Sequence, residues 1–354
     1  MSPRHLRRAA PVLLLALSAA CGNGDAGGAK KKDAVSVGVV LSTGGRGDKG
    51  FNDGALAGLA RAARELGADT AVAKNTDDAS RPDSLARFAE ERKDLVVGIS
   101  FMMAQPGYDQ AVKHPDVNFA VLDYTPVTDK EGRALPVPQN LAGVVYRAEE
   151  GAFLAGAIAG LKTTTHKVGF IGGMAAPVIR QFEAGYAAGV NEVCPDCVVS
   201  VDYAGTTPAA FSDPVKGKAL AQAQYASGVD VIFHASGATG TGVLEAARQA
   251  PPGRWVIGVD VDQSAEAPGR VLTSVTKNLD VSVFGLVRDV KQGTFHGGLV
   301  SQGLAEGAVG YVYNDSNRGL LPPAVYNRVE TLRQAIVGGL IMVPKVPALR
   351  RGGR

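Results

Sequence analysis

Asp123 and Asp260 each close a short apolar run, Asn118 to Asp123 and Trp255 to Asp260. Runs of this kind read as buried strands of a parallel sheet, and such sheets bind ligands beyond the carboxyl ends of their strands. Two carboxylates there could accept hydrogen bonds from a ligand's N–H or O–H groups. Taken singly, either could equally be a solvated or helix-capping aspartate. The stretch Gly45-Arg46-Gly47-Asp48-Lys49-Gly50 matches the spacing of a dinucleotide fingerprint. Ser42, Thr43 and Gly44 separate it from its strand, however, whereas the fingerprint's first glycine follows the strand almost at once. The Arg46-Gly47-Asp48 triplet reads as a tight turn.

Cys194 and Cys197 form a C-x-x-C pair. The histidines show no spacing that would complete a zinc site, and a thioredoxin-like centre would sit at a helix N-terminus after a strand. This pair lies instead between a helix and the strand Val198 to Tyr203, at the amino edge of a sheet. A structural disulfide between Cys194 and Cys197, away from the crevice, is expected. The chain lacks a nucleophile elbow, a phosphate loop ending in Gly-Lys-Ser/Thr and a metal-binding histidine cluster. No cofactor, no metal and no catalytic residue are therefore assigned, which favours binding over turnover.

The elements that must position these residues repeat. Val35 to Val40 is a β-branched run followed by a Gly-rich turn and a helix-period stretch from Phe51 to Leu66, and Val168 to Ile171 begins a second such unit. Gly38, Phe51, Gly54 and Gly58 recur as Gly169, Phe182, Gly185 and Gly189, each displaced by 131 positions. Each half alternates strand and helix, with helical patterns such as Arg81 to Glu91 and Lys216 to Ala226. That order predicts two α/β lobes, each a parallel sheet with helices on both faces. A length of 354 residues agrees with two domains.

The N-terminus reads as an export signal: Arg4, His5, Arg7 and Arg8, an apolar stretch Val12 to Leu17, then Ser18-Ala19-Ala20 before Cys21. A cysteine directly after such a site, ahead of the polar tether Gly22 to Asp33, resembles a bacterial lipobox, in which Cys21 becomes the acylated first residue. Ser18 departs from the leucine usual there; the alternative is a secreted protein with an incidental cysteine. Removal of Arg4, Arg7 and Arg8 takes the formal charge from +3 to zero, which leaves no basic surplus for nucleic acid. No later apolar run approaches the length of a spanning helix.

Asp48-Lys-Gly-Phe-Asn52, Asn118 to Asp123, Gly151-Ala-Phe-Leu-Ala-Gly156, Lys167 to Gly173, Gly258-Val-Asp-Val-Asp-Gln263 and Val271 to Lys277 together resemble the basic membrane protein family. These are lipid-anchored substrate-binding proteins of ABC importers, including purine-nucleoside receptors. The resemblance runs from about Val35 to Pro344. It implies a type I periplasmic-binding fold: two doubly wound parallel-sheet lobes, joined by three crossings of the chain, that close on a ligand. The expected division is a signal peptide over 1–21, a tether over 22–33, a first lobe of 34–141 plus 273–300, a second of 142–272 plus 301–346, and a basic tail over 347–354.

Carried over, the family pattern places Phe51 and Phe233 on the two faces of a nucleobase, with a core position as the alternative for Phe233. Asn52 and Asp123 would meet the polar edge of the base, and Asp260 and Lys277 the ribose hydroxyls. Gly237 and Ala238 would offer backbone N–H groups at a helix start. Asp48 belongs to the same motif. The family motif has serine where this chain has Gly50, and its purine-binding members carry an aspartate where this chain has Ser42. A hydroxyl both donates and accepts, whereas a carboxylate only accepts, so Ser42 bears on ligand preference.

The resemblance thus implies a monomer on the extracytoplasmic face of the cell membrane. Its partners would be a nucleoside, the membrane through the lipid, and an ABC permease with its ATPase. A sensor of the same fold that signals to a membrane receptor, or an exported nucleoside hydrolase, are the rival readings.

Overall fold

The computed structural model describes residues 33–73 and 79–348. Cys21, the signal-peptide and lipid readings, nearly all of the tether and most of the tail lie outside the described residues. Among the described residues no helix is long and apolar enough to cross a membrane.

The chain alternates strand and helix almost throughout. The first half contains β1 (Ser36–Val40), α1 (Phe51–Leu66), β2 (Asp69–Val72), α2 (Arg81–Glu90), β3 (Leu95–Ile99), α3 (Ala104–Lys113), β4 (Asn118–Leu122) and β5 (Leu141–Tyr146). Then come α4 (Ala148–Lys162), β6 (Lys167–Gly172), α5 (Pro177–Val193), β7 (Val198–Tyr203), α6 (Pro214–Ala226), β8 (Val231–Ala235), α7 (Gly240–Gln249), β9 (Trp255–Asp260) and β10 (Val271–Lys277). The chain ends with α8 (Leu279–Gln292), β11 (Gly298–Gln302), β12 (Val309–Tyr311) and α9 (Pro323–Val337).

Two six-stranded sheets result, ordered β11-β5-β4-β3-β1-β2 and β12-β10-β9-β8-β6-β7. Every pairing is parallel except β10 with β12. The central strands are almost wholly buried, as their mainly apolar sequences, rich in Val, Ile and Leu, require when helices cover both faces of a parallel sheet. The two strand orders correspond position for position, so the sequence repeat is a structural repeat of two lobes.

The repeated glycines have a packing reason. α1 lies against α8, and α5 against α4. A Cβ on Gly58 would run into the backbone of Asp280, and one on Gly189 into the backbone of Phe153. Only glycine lets each helix pair approach so closely. Because α4 packs on the second lobe and α8 on the first, the chain crosses after β5, after β10 and again after β11.

The expected lobe boundaries shift at each crossing. β5 pairs with β4 and β11, so the first lobe extends through Tyr146 and not only to 141. Thr273 to Lys277 belong to the second sheet through β9 and β12, and β11 carries the first sheet to Gln302. An apolar run identifies a strand but does not say which sheet edge receives it.

Candidate functional site

The carboxyl ends of both sheets face a shared cleft of about 550 Å³, its open mouth included. From the first lobe come Ser42 and Thr43 after β1, Asp48 and Phe51 at the start of α1, Ser100 to Met102 after β3, and Asp123 after β4. The second lobe contributes Val178, Ile179 and Phe182 from α5, Phe211, Ala235 ending β8 with Ser236 and Gly237 beyond it, Val259 and Asp260, and Lys277 ending β10. Phe101 and Phe211 touch edge to face across the lobes, with ring centroids 6.5 Å apart.

The two strand-end aspartates are equivalent in the repeat and share an unusual backbone. Asp123 has φ 58° and Asp260 φ 68°, the left-handed region that non-glycine residues rarely occupy and that recurs at functional sites. Lys277 Nζ donates to both carboxylate oxygens of Asp123, at 2.9 and 2.7 Å. The same ammonium lies 5.2 Å from the ring centre of Phe51, 4.9 Å from Phe182 and 5.5 Å from Tyr146. Burial pushes the Asp260 carboxyl up to about 7, with Lys277 pulling it down and Asp123 and Asp48 adding to the rise. One cation thus serves a cluster of acids, with room for a hydroxyl or N–H partner.

Asp48 is spent on its own loop. Its carboxylate accepts from the backbone N–H groups of Gly50, Asn52 and Asp53 and from the Asn52 side chain, fixing the entry to α1. Burial raises its pKa against those donors.

Three expectations need correction. Phe233 is fully buried in the middle of β8, packed against Phe170, Phe182 and Tyr186. Strand residues alternate in direction, and only the end of β8 and the turn beyond it reach the cleft, so Phe233 stacks on no ligand. Asn52 does not line the cleft either: it is fully buried, its Oδ1 accepting from Ser42 N at 2.8 Å and its Nδ2 donating to Asp48 at 2.9 Å. It positions Ser42. Gly237 lines the cleft, but Ala238 does not.

Sequence reasoning missed Phe182, Phe101, Phe211 and Ser236. For Phe182 a signal existed, since it is the repeat partner of Phe51. Phe211 sits in a short 3-10 turn, Pro208–Phe211, without periodicity. Cys194 and Cys197 are joined by a disulfide. The fold also brings His166 Nδ1 to 3.9 Å from Cys194 Sγ and 2.7 Å from Asp196, a neighbour that spacing along the chain concealed. With the sulfurs bonded to each other, neither is a thiolate ligand.

The family described as "Bmp: ABC transporter substrate-binding protein PnrA-like" matches residues 35–346. The chain belongs to this family. It is 33% identical to basic membrane protein A2 of Borrelia garinii over 84% of this chain and 85% of that one. To the CD4+ T-cell-stimulating antigen of Listeria innocua it is 35% identical, covering 93% and 94%. Among solved structures, an ABC transporter solute-binding protein from Aeropyrum pernix superposes with a TM-score of 0.77 at 28% identity, covering 88% of this chain and 94% of that one. The protein is therefore an ABC-transporter substrate-binding protein with the type I periplasmic-binding fold, and the interlobe cleft is where that fold takes its ligand.

Proposed function

We propose that the cleft binds a nucleoside, in particular a purine nucleoside, and delivers it unchanged to an ABC permease powered by its ATPase. The observation that carries this reading is the pairing of apolar aromatic walls with a compact ionic cluster. Phe51, Phe101, Phe182 and Phe211 line the same cleft as Lys277, Asp123 and Asp260. Flat apolar rings suit a base, and the larger face of a purine gains more from them. The ammonium and carboxylates suit sugar hydroxyls, which both donate and accept. Phe51, Asp123, Asp260, Lys277, Ser42 and the Gly237 turn are the proposed contacts, with Asp48 and Asn52 holding their framework.

In the same reading Cys21 carries a lipid that keeps a monomeric receptor at the extracytoplasmic face of the membrane. The deciding experiment is mass spectrometry of the small molecule released when the purified protein is denatured, followed by calorimetry on a panel of nucleosides. An intact purine nucleoside that rebinds and raises Tm is expected, since a ligand of the folded state must stabilise it. No heat and no thermal shift from folded, ligand-stripped protein would refute the nucleoside assignment. Recovery of free base and sugar would replace it with hydrolysis.

A further inference from the structure

We propose that Ser42 and Ser236, one on each lobe, meet the ligand as hydrogen-bond acceptors only, so that the ligand must bring an N–H or O–H donor to each side of the cleft. The inference rests on the cleft being the ligand site and narrows the class of ligand it takes. It follows from where each hydroxyl proton is already committed.

Ser42 is governed by Asn52. The Asn52 amide nitrogen faces Asp48 Oδ2 at 2.9 Å, and Asp48 is an acceptor already holding three backbone N–H groups. On its other side the amide faces the Ser42 backbone N–H at 2.8 Å, which can only donate. Both neighbours demand the same orientation, with the amide oxygen toward Ser42. That oxygen also lies 3.1 Å from Ser42 Oγ, so the hydroxyl donates to it. The other acceptor in reach, the Thr43 carbonyl at 3.4 Å, is protein as well. Either way the proton turns inward and the lone pairs are left for the cleft.

Ser236 is governed by a longer chain. Gln263 Nε2 donates to the Lys49 carbonyl of the other lobe at 2.8 Å, while its Oε1 accepts from Val259 N–H at 2.9 Å. Those two contacts fix the amide, so His234 Nε2, 3.0 Å from the same Oε1, must carry its hydrogen. The imidazole is fully buried, and burial draws its pKa down to about 4, so it is neutral and Nδ1 is bare. Gly240 packs so closely over the ring that any Cβ there would overlap it, which holds the ring in place. Ser236 Oγ lies 3.4 Å from Nδ1, and its proton points there. Its side chain caps no helix, and Ser236 is one of the residues lining the cleft, fully buried beneath its wall.

One consequence reverses the simplest expectation for Ser42. A serine whose proton is consumed by Asn52 presents the same hydrogen-bonding sense as a carboxylate, without the charge.

Neutron diffraction from deuterium-exchanged crystals of the protein tests both halves without any ligand. Deuterium is expected on the Ser42 hydroxyl pointing to Asn52 or Thr43, on the Ser236 hydroxyl pointing to His234 Nδ1, and on His234 Nε2. A hydroxyl deuterium aimed into the cleft, or one on Nδ1, overturns the corresponding half. Calorimetry with purine nucleosides and N-methylated analogues lacking one donor reads the consequence for binding. Ser42→Ala and Ser236→Ala should each weaken a donor-bearing ligand roughly tenfold or more, as for any buried donor left unpaired. The loss should vanish for the analogue lacking that donor, and Ser42→Asp should keep the ranking of nucleosides. A ranking inverted by Ser42→Asp refutes the acceptor role. If no nucleoside binds any form, the proposed function fails, while the deuterium positions still decide this inference.

Discussion

Lys277 and Asp123 stand 154 residues apart in the chain, on different lobes, yet form a doubly hydrogen-bonded ion pair buried across the cleft. A buried pair of this kind is weak evidence for stability, because desolvation consumes much of its attraction. Its structural effect is to join the end of β10 to the end of β4. With the bond from Gln263 to the Lys49 carbonyl, it ties the lobes together on the side where the carboxylates gather.

Asp260 should make stability depend on pH. Its folded pKa of about 7 exceeds the value of about 3.9 for an unfolded aspartate. Between those values the folded protein keeps a proton that the unfolded chain has released. This group's contribution to stability therefore falls as pH rises through the window, and the deficit is complete above it. In Asp260→Asn the Tm advantage over the parent should grow from about pH 4 to about pH 7 and then level off. His234, drawn down to about 4, acts in the opposite sense, but it is present in both proteins and drops out of the difference. A flat difference across the window would place Asp260 in the ordinary carboxylate range.

Phe51 and Phe233 should separate binding from folding. Phe51→Ala removes a cleft wall and is expected to cost about 1–3 kcal/mol of nucleoside binding. Phe233→Ala empties a core site and should cost about 3–5 kcal/mol of stability instead. Calorimetry and denaturant titration on both variants check this, and a Phe233→Ala protein that keeps its stability but loses its ligand would reverse the assignment.

The Cys194–Cys197 disulfide should be silent in binding. It follows the C-terminal end of α5, while Val178, Ile179 and Phe182 meet the cleft from the N-terminal part of that 17-residue helix, about 18–24 Å away along its axis. A double Cys→Ser variant should lose roughly 2 kcal/mol of stability, the loop-closure entropy of so short a ring. Its Kd should match the parent's; a tenfold change would tie the loop to the cleft.

Cys21→Ser should move the protein from the membrane fraction to the soluble one. Equal retention of variant and parent on membranes would rule out the lipid.

Much of the architecture was legible in the chain because it is written in local patterns. Short apolar runs rich in Val, Ile and Leu mark buried parallel strands, and glycines displaced by a constant interval mark two copies of one unit. An aspartate closing a strand must lie at a sheet's carboxyl edge, which places Asp123 and Asp260 from the sequence alone. The tertiary structure decided what local pattern does not encode. Strand alternation turned Phe233 into the core, whereas Phe182 reaches the cleft from helix α5, a placement set by how that helix packs. Asn52 became the partner of Ser42 only through the turn that Asp48 folds. Lys277 met Asp123, and Gln263 met Lys49, because sheet order and three crossings bring distant strand ends together. Residue periodicity specifies a face, and only packing of the lobes specifies what that face touches.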